Sequence, residues 1–201
     1  MKRIFLIRHG DPENPKKIVY GRLPGFPLSE KGRKEAREAG KYLKEAGARP
    51  EAIYSSPLER TRKTAKIVGS FFPKAKIELE EGVVEHGLGR WVGKKLSRLA
   101  KTPSWEVYLT RPEDLDVGEE TLKEVQERAV ASLKKIVAGV KKEAVVISHE
   151  HVIKMLLLYL EKKPINDLHK IVIPTGSVTT VTIDGNLSLL KEEFWRPNVQ
   201  D

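Results

Sequence analysis

The feature that most limits how this chain can fold is a repeated change of hydrophobic period. Residues 2–7, a short apolar run rich in β-branched and aromatic residues, and residues 144–147 read as buried strands, with 51–54 and 75–79 as two further short strands. Between them lie stretches with helical spacing. One helix starts near Ser29, a suitable N-cap, places Ala36, Ala39, Leu43 and Ala46 near one face and stops near Gly47. A second opens at Ser56-Pro57, with Ser56 as N-cap and Pro57 at the first helical position. A third, from about Glu119 to Val140, repeats Leu122, Val125, Ala129, Leu133, Ile136 and Val137. A fourth follows residue 147 and runs through Leu160. Alternating strands and helices imply a mostly parallel sheet covered on both faces. Residues 177–183 and 187–194, joined by the turn signal Asp184-Gly185, add a C-terminal antiparallel hairpin. The expected fold is therefore α/β, a three-layer sandwich formed by one domain over residues 1–201. Two segments resist this reading. Pro12, Pro15, Pro24 and Pro27 with Gly21 and Gly25 make 11–27 a long loop, and residues 80–118 read as a glycine-rich loop followed by one or two short helices.

Open parallel sheets bind ligands at the carboxyl ends of their strands. Arg8 and His9 follow the first strand. Ser55, Ser56 and Pro57 follow the second, with Arg60 in the first turn of the next helix. Ser148, His149, Glu150 and His151 follow residues 144–147. Two arginines and two or three histidines at three strand ends suit a phosphate. A guanidinium matches phosphate oxygens in bidentate fashion, and a helix N-terminus adds free N–H groups. A neutral imidazole is a nucleophile at phosphorus. A second, protonated histidine would hold a non-bridging oxygen. The proton for the leaving oxygen would come from Glu85 or Glu150, and this reading alone does not choose between them.

Charge bears on the partner. The formal net charge is +9 over 201 residues. Lys and Glu are interleaved, as in 31–38 and 94–106, which is the pattern of solvated helix faces. Only 6% of residues are aromatic and no basic stretch interleaves them for base stacking, so nucleic acid is not the expected partner. No apolar run approaches the ~20 residues of a membrane span, and no membrane partner is expected. The chain has no cysteine, which excludes disulfides and thiolate chemistry, and the cytoplasm is the default compartment. The oligomeric state is left open, with a homodimer among the options.

These motifs resemble a known family. Arg8-His9-Gly10 is similar to the signature of the histidine phosphatase superfamily, which includes cofactor-dependent phosphoglycerate mutases. The resemblance extends through Leu28-Ser29-Glu30-Lys31-Gly32, Ser55 to Ala65 with Arg60 at the pocket position, Glu85 with Gly89, Trp91 and Gly93, and Val146-Ile147-Ser148-His149. It implies that His9 is phosphorylated, that Arg8, Arg60 and His149 line the phosphate pocket, and that Glu85 gives a proton to the leaving group and takes one from water. It implies no metal and no other cofactor. A distant branch of acid phosphatases places its proton donor right after the second histidine, so Glu150 competes with Glu85, the preferred choice. The mutases carry Ser or Thr and then Asn soon after the first motif. Here Pro12 replaces the hydroxyl residue and Asn14 falls one place early, and Arg111-Pro112 stands where mutases have an arginine pair. The expected activity is thus hydrolysis of a small phosphomonoester. A phosphoglycerate mutase is the first alternative, and a non-catalytic module binding phosphorylated or nucleic-acid ligands the second.

The remaining polar residues have plainer readings. Asn14, Lys16 and Arg22 are either substrate contacts or part of a solvated loop. Trp91 and Trp105 are expected to pack, Arg62 to lie on the surface or behind the site, and Ser55 and Ser148 to serve turns or caps. His151 is expected to be structural, and His86 and His169 have no identifiable partner in the sequence.

Overall fold

A computed structural model describes residues 1–199. Its centre is a six-stranded sheet formed by β1 (Lys2–Arg8), β2 (Ala52–Ser55), β3 (Lys76–Leu79), β4 (Glu143–Ser148), β5 (Val178–Ile183) and β6 (Leu189–Trp195), in the order β3-β2-β4-β1-β5-β6. The first four are mutually parallel where they pair. β5 runs antiparallel to β1, and β6 to β5. The sheet is mixed and mostly parallel, with the expected antiparallel hairpin at one edge.

Alternation along the central strands builds two cores. Ile4 and Leu6 of β1, with Ala144 and Val146 of β4, pack against α5 (Leu122–Gly139) and α6 (Glu150–Leu160). Phe5 and Ile7, with Val145 and Ile147, face α1 (Glu30–Glu45) and α2 (Glu59–Gly69). Every second residue of a strand points to the same face, so β-strands buried on both sides read as continuous apolar runs. A third, smaller core of Leu88, Trp91, Leu99, Leu115 and Val117 forms within the 86–118 segment. Trp105 and Tyr108 of α4 (Pro103–Thr110) complete it, with α3 (Leu96–Leu99) alongside.

Helix ends follow local chemistry, with three departures from expectation. In α1 the Ser29 side chain accepts from Gly32 N–H, and Gly47, at φ +72°, closes the C-terminus by giving its N–H to Lys44 O while Ala48 N–H reaches Leu43 O. This is the glycine-terminated cap that the sequence suggests. Ala46, expected on the buried face, is exposed instead because it lies beyond the last helical turn. The second helix does not start at Ser56-Pro57. It begins at Glu59 after Leu58, with no side-chain cap on that first turn; the Ser56 hydroxyl lies 2.8 Å from His149 Nε2 and accepts weakly from Leu58 N–H at 3.5 Å. The long helix starts at Leu122 rather than Glu119. Thr121 and Glu124 form a reciprocal capping box there.

The register of the central strands positions the site. Arg8 pairs with Ser148 across β1 and β4, and Ser55 pairs with Ile147 across β2 and β4. His9, Ser56 and His149 therefore leave three adjacent strands at nearly one level.

Candidate active site

His9 is 1% exposed. Its Nδ1 lies 2.8 Å from the carbonyl of Gly10, which can only accept, so Nδ1 carries the hydrogen and Nε2 keeps its lone pair. Arg60 Nε donates to that Nε2 at 3.1 Å. Arg60 Nη2 lies 3.2 Å from His149 Nδ1 and 2.8 Å from Gly21 O. The guanidinium stacks 4.7 Å from the ring centroid of Tyr20, which itself stacks on Phe26. His149 turns its Nε2 to the Ser56 hydroxyl at 2.8 Å. Arg8 Nη1 reaches Ile173 O at 2.6 Å and Glu150 Oε2 at 2.8 Å. Its Nε is buried and makes no hydrogen bond among the described residues. A buried donor left over in this way calls for an acceptor, and it sits in the cluster where an anion would supply one. The structure thus brings Arg8, His9, Arg60 and His149 together.

Backbone contact holds His9 in place. A methyl group built on Gly10 would lie 2.2 Å from Gly32 O, and one on Gly32 would lie 2.0 Å from Asp11 O. The strand-end loop and the first turn of α1 approach so closely that only glycine fits at either position. Glu35 fastens the same loop, accepting from Asp11 N–H at 2.8 Å and from Thr175 Oγ1 at 3.0 Å.

Burial, with Arg60 and Arg8 nearby, pushes His9 well below the usual histidine range. Burial, Arg60 and His9 do the same to His149. The sequence led to an expectation of a cationic second histidine. In this cluster His149 is neutral, and a cationic form requires the compensating charge of a bound anion.

The two candidate acids stand in opposite environments. Burial raises Glu85 against the pull of Arg60. Its Oε2 is 3.8 Å from His149 Nδ1, and its Oε1 accepts from His86 N–H at 2.8 Å. Glu150 is also pushed up by burial, but Arg8 and Lys154 outweigh that and hold it below the usual carboxylate range. Its two oxygens are 2.8 Å from Arg8 Nη1 and 2.7 Å from Lys154 Nζ. Arg22 does not join the cluster. Its Nε donates to Glu85 O at 2.7 Å and its Nη2 to Glu120 Oε2 at 2.7 Å, so it braces the loop that carries Glu85. Asn14 binds both backbone groups of Ile18 with its amide and shapes the 14–18 loop. Among the described residues, no group of three or more His, Asp or Glu side chains is arranged to hold a metal ion.

Next to this cluster is an arrangement the sequence did not reveal. His86 Nε2 lies 2.8 Å from Glu120 O and must donate to it. His86 Nδ1 is then an acceptor, 3.2 Å from His151 Nδ1, and His151 Nε2 accepts from Tyr108 O–H at 2.9 Å. Every member of the relay is satisfied when both histidines are neutral. Burial pushes each to about 4, with His151 adding to the effect on His86 and Glu150 opposing it on His151. His169 packs edge-on against Tyr108 and lies 2.7 Å from its carbonyl. Ser148 ends β4 with its hydroxyl donating to Val83 O at 2.7 Å, rather than serving a turn. The one legible signal was that His86 and His151 each follow a candidate acid in sequence. A stability consequence follows. The folded-state values lie below the ordinary histidine value of about 6.5, so the stabilisation is complete above that pH. It declines as pH falls from about 6.5 towards 4, because the unfolded chain takes up protons first. The urea midpoint is expected to drop across this window, corresponding to a loss of on the order of a few kcal/mol of stability. A midpoint constant between pH 7 and pH 4.5 would exclude the neutral relay.

The chain matches the histidine phosphatase superfamily (branch 1) over residues 4–194. A 2,3-bisphosphoglycerate-dependent phosphoglycerate mutase of Parvibaculum lavamentivorans is 30% identical over 202 residues, covering 95% of this chain and 95% of the relative. The structure of YhfR from Bacillus stearothermophilus is 28% identical, with a TM-score of 0.84 over 92% of this chain and 93% of that one. Phosphoserine phosphatase from Entamoeba histolytica, solved with 3-phosphoglyceric acid, is 25% identical with a TM-score of 0.78, covering 91% of each chain. The match begins in the strand that delivers His9 and ends in the edge strand β6, so it takes in part or all of every strand and all three strand ends of the cluster: this chain belongs to the histidine phosphatase superfamily.

Proposed function

We propose that the protein is a phosphatase that hydrolyses a small phosphomonoester through a phosphohistidine on His9. The observation that carries this reading is the His9 imidazole, held neutral with its Nε2 lone pair directed at Arg60, beside an Arg8 Nε with no partner of its own. Arg8, Arg60 and His149 take the phosphate oxygens, and the dianion supplies the charge that lets His149 accept a proton. His9 Nε2 attacks phosphorus, the P–O bond to the leaving group breaks, and the Glu85 carboxyl gives its proton to the departing oxygen. Water then attacks phosphorus, the N–P bond breaks, and Glu85 carboxylate takes the water proton, which restores the starting state. Glu85 suits this role because its carboxyl is raised and faces His149. Glu150 is held ionised by two cations, which suits it to orienting Arg8.

No helix among the described residues is long and apolar enough to cross a membrane, and we place the activity in the cytoplasm with a small phosphorylated metabolite as substrate. A mutase is the second reading, favoured by the identity to the Parvibaculum lavamentivorans enzyme. The protein is expected to release inorganic phosphate from p-nitrophenyl phosphate in the presence of EDTA. It is expected not to interconvert the two monophosphoglycerates, even with 2,3-bisphosphoglycerate added. Isomerisation faster than hydrolysis would replace the phosphatase reading with the mutase one, and tight ligand binding without phosphate release would replace both with a binding module.

A further inference from the structure

A cavity of about 440 Å³ opens directly onto Arg8 and Glu85. Its walls come from the two segments that the sequence leaves unassigned, with Ile18, Val19 and Tyr20 on one side and Leu88 and Leu96 on the other. The walls are built, not draped. Val19 N–H donates to Lys94 O at 2.9 Å, Gly93 N–H to Val19 O at 2.8 Å and Leu96 N–H to Lys17 O at 3.3 Å, a short ladder that locks the two segments together. Leu96 is 49% exposed at the mouth.

The charges in this cavity are unsuited to an anionic leaving group. Its lining cations are Arg8 and Lys17, and its lining carboxyls are Glu85 and Glu150. Arg8 is already paired with Glu150. Arg22 is turned away onto Glu119 and Glu120. A carboxylate entering here would lose water with only the exposed Lys17 as an uncommitted cation, and it would face the ionised Glu150. An apolar or aromatic group would instead bury surface against four apolar side chains and the ring of Tyr20.

We infer that this cavity is the leaving-group subsite and that it selects phosphomonoesters of apolar or aromatic alcohols over phosphorylated carboxylic acids. The inference rests on the phosphatase reading above and names its substrate class. Leu96 is the specificity-determining residue most open to test, since its exposure allows replacement without disturbing the core.

The experiment compares kcat/KM for 2-naphthyl phosphate and for 3-phosphoglycerate in the wild-type protein and in Leu96→Lys. The wild type is expected to favour the naphthyl ester by roughly tenfold to a hundredfold, the range of a modest apolar contact. Leu96→Lys is expected to lower that ratio at least tenfold by weakening the first substrate and strengthening the second. A wild-type preference for 3-phosphoglycerate, or a ratio that Leu96→Lys leaves unchanged, overturns the inference while leaving the phosphatase reading intact. Calorimetry on the His9→Ala protein with the same two esters separates the two claims. Tighter naphthyl binding there, with no phosphate release by the wild type, upholds the subsite and overturns the phosphatase reading. Equal or reversed binding there overturns the subsite.

Discussion

Replacing His9 with alanine is expected to reduce phosphate release by roughly 10⁴- to 10⁶-fold, the scale seen when a nucleophile is removed from other covalent catalysts. The reason is local. His9 Nε2 is the imidazole nitrogen with a lone pair facing Arg60, while Nδ1 is committed to Gly10 O. His149 lies edge-on to His9 with ring centroids 5.1 Å apart, but its Nδ1 is an acceptor for Arg60 and its Nε2 is turned to Ser56. Rapid quenching of the wild type during turnover should trap an acid-labile phosphoenzyme, and the variant should trap none. Because His9 is buried beside two arginines, its loss also changes local charge, so near-ultraviolet circular dichroism must accompany the kinetics. A folded His9→Ala protein with full turnover would sink the mechanism.

The second large effect is expected at Glu85, and its size should depend on the leaving group. For an alkyl phosphate, whose alkoxide leaves poorly, Glu85→Gln is expected to lower kcat by about 10²- to 10⁴-fold, the usual range for general acid catalysis. For p-nitrophenyl phosphate the first step needs little help from a proton, so the loss should be much smaller. The pH profile gives a separate readout. The carboxyl must carry its proton for the first step, so kcat/KM for the alkyl ester should fall as pH rises through the raised Glu85 value. Glu85→Gln should remove that limb. Glu150→Gln should retain it, with a loss of less than about tenfold, because Glu150 is held as a carboxylate by Arg8 and Lys154 and has no proton to give. If Glu150→Gln abolishes the limb and Glu85→Gln does not, the assignment is reversed.

These contrasts show where sequence reasoning was strong. β1 and β4 were legible because both of their faces are buried, so their runs of Ile, Leu, Phe and Val are continuous. The edge strand β3 was read as a strand, although all four of its residues are exposed. The onset of α2 was misread because a Ser-Pro pair looks like a helix start. Only the proximity of His149, 93 residues away in sequence, shows that Ser56 is occupied. The 80–118 segment resisted reading because its core, Leu88, Trp91, Leu99, Leu115 and Val117, gathers residues from turns and short helices with no common period.

By itself the sequence determined the alternating α/β architecture and the arrival of Arg8, His9, Arg60 and His149 at one end of a sheet. Those follow from local periodicity and from the rule that parallel strands present their carboxyl ends together. Tertiary structure alone decided the environments. Glu85 and Glu150 are the same side chain in the sequence. One is raised by burial beside His149 and the other is held ionised between Arg8 and Lys154. Likewise, Arg22 and Asn14 are spent on the loops, and His86, His151 and Tyr108 are joined in one relay. A protonation state depends on burial and on charges within a few ångströms, and those neighbours come from segments that no local pattern links.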